Sequence, residues 1–377
     1  MKVVTILGTR PEIIRLSSVM ALLEKHVNHI LVHTGQNYDY ELNEVFFKDL
    51  GVKKPDYFMN VDTSSLGHVY GGIMIKTEKI LKKERPDAVL ILGDTNSSIA
   101  GIIAKRLKIP LYHMEAGNRC FDFNVPEEIN RRIIDHISDY NLCYTEHARR
   151  HLIREGLPHQ RIYVTGSPMK EVLTTHMDKI KASKILSDLN LEKKKFLLAS
   201  IHREENVDNS ENLRKILTAL ESLCKEFNIP VIVSTHPRTR KRLETLGKKN
   251  ISAKIKFMKP FGFLDYVKLQ MNAKCVISDS GTICEESSML NFPAITPRNS
   301  IERPEAIDTS SIVITGLEPQ VIIDAVKLQT SKDILKIPVS VPEDYKIENT
   351  SERVVKLIVG TSKLSNLWNG IRINDLG

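Results

Sequence analysis

"KVVTILGTRPEIIRLSSVMALLEKH", residues 2–26, holds one complete copy of the unit from which the chain is built. A largely β-branched run ends at Gly8, and apolar positions then recur at helical spacing from Ile13 onward. Strand, glycine turn, helix is the repeating unit of doubly wound sheets. The strand and its glycine or polar stop recur at "HILVHTG" (29–35), "DAVLILGD" (87–94), "IPLYHMEAG" (109–117), "YNLCYT" (140–145) and "RIYVTG" (161–166). Each run is continuously apolar, as in parallel strands covered on both faces. A polar, lysine-rich segment from about Thr174 to Lys195 breaks the rhythm. It resumes with "FLLASIH" (196–202), "PVIVSTHP" (230–237), "AKIKFM" (253–258), "KCVISDSG" (274–281) and "SIVITG" (311–316). The implied architecture is α/β: two Rossmann-like doubly wound domains, 1–175 and 190–340, facing across a cleft with a ligand between them. Residues 341–377, with helical "SERVVKLIVGTSKLSNLW" (351–368), are expected to pack back across the domains.

Composition narrows the class. A chain of 377 residues with 41% hydrophobic and 27% charged residues reads as a globular protein of two domains. No apolar run is long enough to span a bilayer, and Arg10 and Glu12 come too early for a signal-peptide core, so a cytoplasmic location is expected. Five scattered cysteines without a CxxC pair imply reduced thiols and neither a disulfide framework nor a zinc site. The net charge of +8 is spread over lysines with no aromatic interleaving, which favours a cleft for an anionic ligand over a nucleic-acid surface.

In doubly wound sheets ligands bind beyond the carboxyl ends of the strands. Those ends deliver Gly8, Thr9 and Arg10, then Asp94, then Glu115 and Gly117 in the first half. In the second half they deliver His202 and Arg203, His236 and Arg238, and Asp279, Ser280 and Gly281. Helix capping is the plain alternative for Asp94 and Asp279. In "SDSGTICEESS" (278–288), Ser280 and Gly281 open a helix whose free N–H groups suit a phosphate, and Glu285 or Glu286 is placed to reach the hydroxyls of a ribose. The bland reading is a capped helix with a solvated acidic pair. Neither GxGxxG nor GxxxxGK[ST] is present, and no metal-ligand spacing occurs. A site without metal or cofactor is therefore expected, with phosphate charge met by Arg10, Arg303 and helix ends.

Together "GTRPEIIR", "GDTNSS", "EAGNR…PEEINRR", "HREEN", "SDSGT…EESS" and "ERPEA" resemble the non-hydrolysing UDP-N-acetylglucosamine 2-epimerase family, in order and in register over about residues 3–330. The resemblance implies a glycosyltransferase-B fold, UDP held mainly by the second domain, and a homodimer. It places Asp94, Glu115, Glu127 and His202 around the sugar and its anomeric oxygen. It gives nucleotide-contacting roles to Arg10, Arg15, Ser280, Gly281, Glu286 and Arg303, and puts Tyr266 under the uracil. Thr282 stands where relatives carry a second glycine. His236 is a further candidate for phosphate, with a structural role beside Pro237 as the alternative.

Three departures resemble the subgroup that makes UDP-N-acetyl-L-fucosamine from UDP-2-acetamido-2,6-dideoxy-L-talose for capsule and O-antigen synthesis. They are "GNRCFD" (117–122), "TGQNYDYELN" (34–43) in place of a Gln-His pair that binds an activating UDP-sugar, and "THPRTRKR" (235–242). Cys120 and Phe121 are read as a more apolar wall beside the sugar's C5 methyl. The alternatives are a UDP-N-acetylglucosamine 2-epimerase, a hydrolysing epimerase, a glycosyltransferase of the same fold and a UDP-sugar sensor. Inversion at C2 needs acid/base groups on both faces, so burial or like-charge proximity should raise the pKa of at least one carboxylate. Arg119, Arg131 and Arg132 are candidates for orienting or neutralising their neighbours, with a solvated helix charge the plainer reading of Arg132.

Overall fold

A computed structural model describes residues 1–35, 47, 50–246, 251–337 and 340–372. The chain divides into two compact units, Met1–Thr175 with Glu343–Gly377, and His176–Pro342. The segment 36–43, which carries most of the "TGQNYDYELN" departure, lies outside the described residues.

The first unit is built on seven parallel strands: β1 (Lys2–Leu7), β2 (Asn28–His33), β3 (Tyr57–Phe58), β4 (Ala88–Leu92), β5 (Leu111–Met114), β6 (Tyr140–Cys143) and β7 (Ile162–Val164). Their order is β3-β2-β1-β4-β5-β6-β7, so strand order reverses between β1 and β4. Val4 faces Ile30 on one side and Val89 on the other, and all three are buried. That double-sided burial is why the strands read as unbroken apolar runs. Gly117 closes the turn after β5 with φ +82, and a Cβ there would lie 2.4 Å from the Ala148 carbonyl oxygen. Only glycine satisfies both the angle and the approach.

The second unit repeats the plan with β8 (Leu197–Ser200), β9 (Val231–Ser234), β10 (Ile255–Met258), β11 (Val276–Ser278), β12 (Ala294–Thr296) and β13 (Val313–Ile314). The order is β10-β9-β8-β11-β12-β13, again parallel, with the reversal between β8 and β11. One face of this sheet packs on Val207, Ile216, Leu220, Leu223 and Ile322, the other on Leu269, Ile283, Phe292 and Ile312.

The segment read as lying across the domains is grouped with the first unit. Its helix, Thr350–Trp368, packs on the helix Arg10–His26, and its Thr361 hydroxyl lies 2.6 Å from the Tyr112 hydroxyl. The lysine-rich stretch that marked the boundary forms the helices Pro168–Ala182 and Ile185–Asp188.

Candidate active site

In the first unit, charged groups gather at the carboxyl ends of β1, β4 and β5. After β4, Gly93 takes φ +71 and Asp94 follows it. Capping does not explain Asp94: the Thr95 side chain caps the next turn by accepting from the Ser97 amide. The Asp94 carboxylate is instead held by Arg131, whose Nε lies 2.9 Å from Oδ2 and whose Nη2 bonds the same oxygen. Arg131 also donates to Glu128 at 2.9 Å, and Glu128 is fully buried.

After β5, Glu115 sits in the left-handed region at φ +65, a strained position for a side chain this large. Arg15 Nη1 bonds its Oε2, and Asn118 donates to its Oε1 at 3.3 Å. The Arg15 guanidinium also stands 5.8 Å from the Tyr144 ring centroid. Arg15, assigned from the resemblance to the nucleotide, is thus buried against a candidate acid/base residue.

Glu127 opens the helix Pro126–Ile137, which has proline at its first turn. It lines a cleft of about 340 Å³ together with Thr9, Thr63, Val69, Thr95, Asn96, Pro126 and Asn130. Asn130 ties this helix to the β4 loop by donating to the Asp94 carbonyl at 2.9 Å. Beneath these residues a charge network continues. Asp135 and Glu155 hold Arg119 at 2.7 and 2.6 Å, and Asp135 lies 2.9 Å from His113, whose other ring nitrogen is 2.8 Å from the Gly93 carbonyl. Arg119 and Arg132 are therefore engaged with carboxylates, Arg132 with Glu128 and Glu155. Arg10 is half-buried at the helix start.

Glu12 is the site residue that motif reading passed over. It accepts from the Gly8 amide at 3.1 Å and the Thr9 hydroxyl at 2.7 Å, and the Ser97 hydroxyl donates to its other oxygen. Burial raises its pKa to about 7, against the lowering effect of those bonds. The pattern Thr9-x-x-Glu12 was the available signal, since Ser/Thr followed three residues later by Glu marks a helix start.

In the second unit, Asp279 is fully buried beneath the loop that follows β8. The His202 and Arg203 amides and the Asn206 side chain each donate to it at 3.0 Å, and His202 Nδ1 lies 3.1 Å away. The His202 side chain remains 39% exposed, so its ring is oriented from behind and accessible in front. Burial alone would raise the Asp279 pKa, but His202 and the N–H donors take it down to about 2. Asp279 is thus a clasp for this loop rather than a helix cap. His236 stands with its ring centroid 6.0 Å from that of His202, and its Nδ1 accepts from the Arg238 amide at 3.3 Å.

Ser280, Gly281 and Thr282 lead into the helix Ile283–Leu290, with the Ser280 and Thr282 hydroxyls 3.0 Å apart. A Cβ on Gly281 would meet nothing closer than Arg203 Nη2 at 3.7 Å. Packing therefore does not demand glycine there; its absent side chain leaves the backbone open. The acidic pair is not solvated: Glu285 is buried against Arg303 at 3.2 Å, and Glu286 accepts from Gln270 at 2.6 Å. Arg303 is itself buried and donates through Nε to the Gly281 carbonyl at 2.9 Å, so it braces the loop expected to meet phosphate. Tyr266 turns its hydroxyl inward beside Ser200, Ser278 and Glu286, and burial pushes that phenol well above its usual range.

The expected apolar wall takes a different form. Cys120 points inward, its Sγ 3.4 Å from Glu128 Oε2. Phe121, at φ +55, lies on the surface edge-on to His151 with centroids 5.3 Å apart. Left-handed backbone at Phe121 redirects the chain, and neither side chain lines the cleft. The "THPRTRKR" segment runs into the helix Pro237–Leu246, where Thr239 donates to the Ile201 carbonyl at 2.7 Å and Arg238 pairs with Glu204 at 2.6 Å. It supports the His202 loop.

Two parallel sheets with polar groups at both reversal points define a Rossmann-like enzyme of the glycosyltransferase-B fold class. Residues 21–359 match the family model for UDP-N-acetylglucosamine 2-epimerase, and the chain belongs to that family, isomerases that act on UDP-sugars. The solved structure of UDP-N-acetylglucosamine 2-epimerase from Rickettsia bellii is 48% identical, with a TM-score of 0.91 over 98% of this chain and 99% of that one. Methanocaldococcus jannaschii UDP-GlcNAc 2-epimerase, solved in complex with UDP-GlcNAc and UDP, is 35% identical, with a TM-score of 0.89 over 96% of this chain and all of that one. The UDP-2,3-diacetamido-2,3-dideoxy-D-glucuronate 2-epimerase of Pseudomonas aeruginosa is 34% identical over 341 residues, 89% of this chain and 94% of that one. Among the described residues no helix is long and apolar enough to cross a membrane, and no group of three His, Cys, Asp or Glu side chains is placed to hold a metal ion.

Proposed function

We propose that the chain inverts C2 of a UDP-2-acetamido sugar by eliminating UDP and adding it back. The observation that carries this is the set of carboxylates at the first unit's strand ends: Asp94 paired to Arg131, Glu115 paired to Arg15, and Glu127 in the wall of the cleft. A hydrogen on C2 of such a sugar has no neighbouring carbonyl to stabilise a carbanion. Loss of UDP supplies the driving force instead. As a carboxylate takes H2, the C2–H electron pair becomes the C1=C2 bond of a 2-acetamidoglycal and the C1–O pair leaves with UDP. Re-addition with a proton delivered to the opposite face completes the inversion. The sequence is redox-neutral and uses two acid/base groups. His202, braced by Asp279, is the group in the second unit suited to assist the departing phosphate oxygen. Ser280, Gly281, Thr282 and Glu286 form the loop and helix start for UDP, stiffened by Arg303, with Arg10 and His236 as further phosphate contacts and Tyr266 flanking the base.

For the sugar, the resemblance of 117–122, 34–43 and 235–242 to the L-fucosamine subgroup supports UDP-2-acetamido-2,6-dideoxy-L-talose and UDP-N-acetyl-L-fucosamine, and with them capsule or O-antigen synthesis, although Cys120 and Phe121 do not supply the apolar wall. UDP-N-acetylglucosamine is the second reading, favoured by the names the Rickettsia and Methanocaldococcus relatives carry. The family resemblance implies a homodimer, and five buried, free thiols suit a reducing cytoplasm. Side-by-side NMR assays with both UDP-sugars decide the substrate. We expect interconversion of the L-sugars and essentially untouched UDP-N-acetylglucosamine; efficient formation of UDP-N-acetylmannosamine would overturn the L-sugar assignment.

A further inference from the structure

Glu12 has no part in the reaction just described, yet it is 1% exposed at the point where the first sheet reverses. Two chains of hydroxyls lead from its carboxyl to the cleft. Oε2 accepts from Thr9 Oγ1 at 2.7 Å. Oε1 accepts from Ser97, whose Oγ lies 2.6 Å from Thr95 Oγ1. Both threonines line the cleft.

Counting protons shows what this arrangement can do. An ionised carboxylate only accepts, whereas a hydroxyl both donates and accepts. With Glu12 ionised, Thr9 and Ser97 donate to it and Thr95 donates inward, to Ser97 or to the carboxylate itself. Both threonines then turn lone pairs to the cleft. With a proton on Oε2, Glu12 donates to Thr9 and the Thr9 hydrogen is released outward. With the proton on Oε1, the reversal runs through Ser97 and the Thr95 hydrogen is released instead. Either way a hydroxyl in the cleft wall changes from acceptor to donor.

We propose that Glu12 is a positioning residue that sets the hydrogen-bond polarity of Thr9 and Thr95 toward the sugar nucleotide in this cleft. The proposal rests on reading the cleft as the sugar site. Burial supports it by holding the Glu12 pKa at about 7, where both states are populated. The groups bonded to the carboxyl are neutral, Thr95 among them through a direct interaction as well. Charged groups on the elements around it include Arg10 and Arg15 on its own helix, Asp94 after β4, Glu115 after β5, and Glu127, Glu128 and Arg131 on the helix Pro126–Ile137. Of these, Asp94 pairs with Arg131 and Glu115 with Arg15. The helix Leu66–Glu84 turns Val69 to the cleft.

Glu12→Gln tests the idea, because its amide can donate to Ser97 while its oxygen keeps Gly8 and Thr9, fixing the neutral pattern at every pH. In the native enzyme KM for the UDP-sugar should change about 2- to 10-fold between about pH 6 and pH 8, as one hydrogen bond switches sense. That change should vanish in Glu12→Gln and in the Thr9→Val/Thr95→Val double variant. Retention of the native KM profile in both would overturn the proposal. Carbon-13 NMR of the glutamate carboxyls supplies a second readout. The resonance missing in Glu12→Gln should titrate at about 7, and titration in the ordinary glutamate range would also overturn the proposal. This readout needs no turnover, so a protein that epimerises no UDP-sugar refutes the functional reading while Glu12 is still tested.

Discussion

At the reversal between β1 and β4, the buried Glu12 joins two loops; at the reversal between β8 and β11, the buried Asp279 does the same. Both are carboxyls out of water, which favours the protonated form. The donors around them decide the outcome. Asp279 faces two backbone N–H groups, the Asn206 amide and the His202 ring, none of which loses its role when the carboxyl is ionised, and its pKa falls to about 2. Glu12 faces one amide and hydroxyls that can reverse, and burial prevails, raising it to about 7. The second unit's reversal point is built as a fixed anion behind a histidine. The first unit's holds a carboxyl that titrates near neutrality, next to the cleft that the proposed function assigns to the sugar.

The largest effects should separate the proposed acid/base unit from the proposed nucleotide unit. Asp94→Asn, Glu115→Gln and Glu127→Gln are each expected to lower kcat by ~10²-fold or more, the range for lost acid/base catalysis. UDP affinity, measured by calorimetry, should change far less. Near-normal turnover of Glu115→Gln would remove the first unit from the chemistry.

Stability against pH sharpens the contrast, with the sign set by each shift. Asp279 is a stronger acid folded than unfolded, so its contribution is complete above its ordinary 3.8 and is lost as pH falls through about 2. Asp279→Asn should therefore cost roughly 2 kcal/mol at neutral pH, a gap that closes in acid. Glu12 holds its proton more tightly folded than unfolded. Its contribution is complete below its ordinary 4.5 and is lost as pH rises through about 7. Glu12→Gln, which keeps most contacts, should have the smallest effect, shifting in the variant's favour as pH rises through 7. Urea denaturation across pH reads both, and parallel profiles for the two variants would erase the distinction.

Much of this was legible in the sequence, for physical reasons. Strands buried on both faces announce themselves as apolar runs, and glycine or a polar residue marks where each one stops. β3, at Tyr57–Phe58, and β12, at Ala294–Thr296, escape because breakers crowd them: Pro55 and Asp56 precede the first, and Pro293 and Pro297 flank the second, so neither shows a continuous apolar run. Asp94 and Glu115 stand out by their place after buried strands, whereas Glu127, at a helix start, is singled out by the family resemblance. Their partners were harder: Arg131 lies 37 residues from Asp94 and Arg15 lies 100 from Glu115, separations that only the folded sheet closes. Side-chain direction was not legible in "GNRCFD", where the left-handed residue Phe121 turns Cys120 inward toward Glu128. Nor was the burial of Arg303 and Glu285, because a basic and an acidic residue 18 positions apart look solvated until both are packed away.

Inversion of C2 through loss and return of its hydrogen must leave the solvent's isotope in the product. The purified protein is incubated with its UDP-2-acetamido sugar in D2O and the product examined by NMR. Deuterium is expected at C2 of the epimerised sugar, with no nicotinamide cofactor added. Product that retains its original hydrogen at C2 would contradict it.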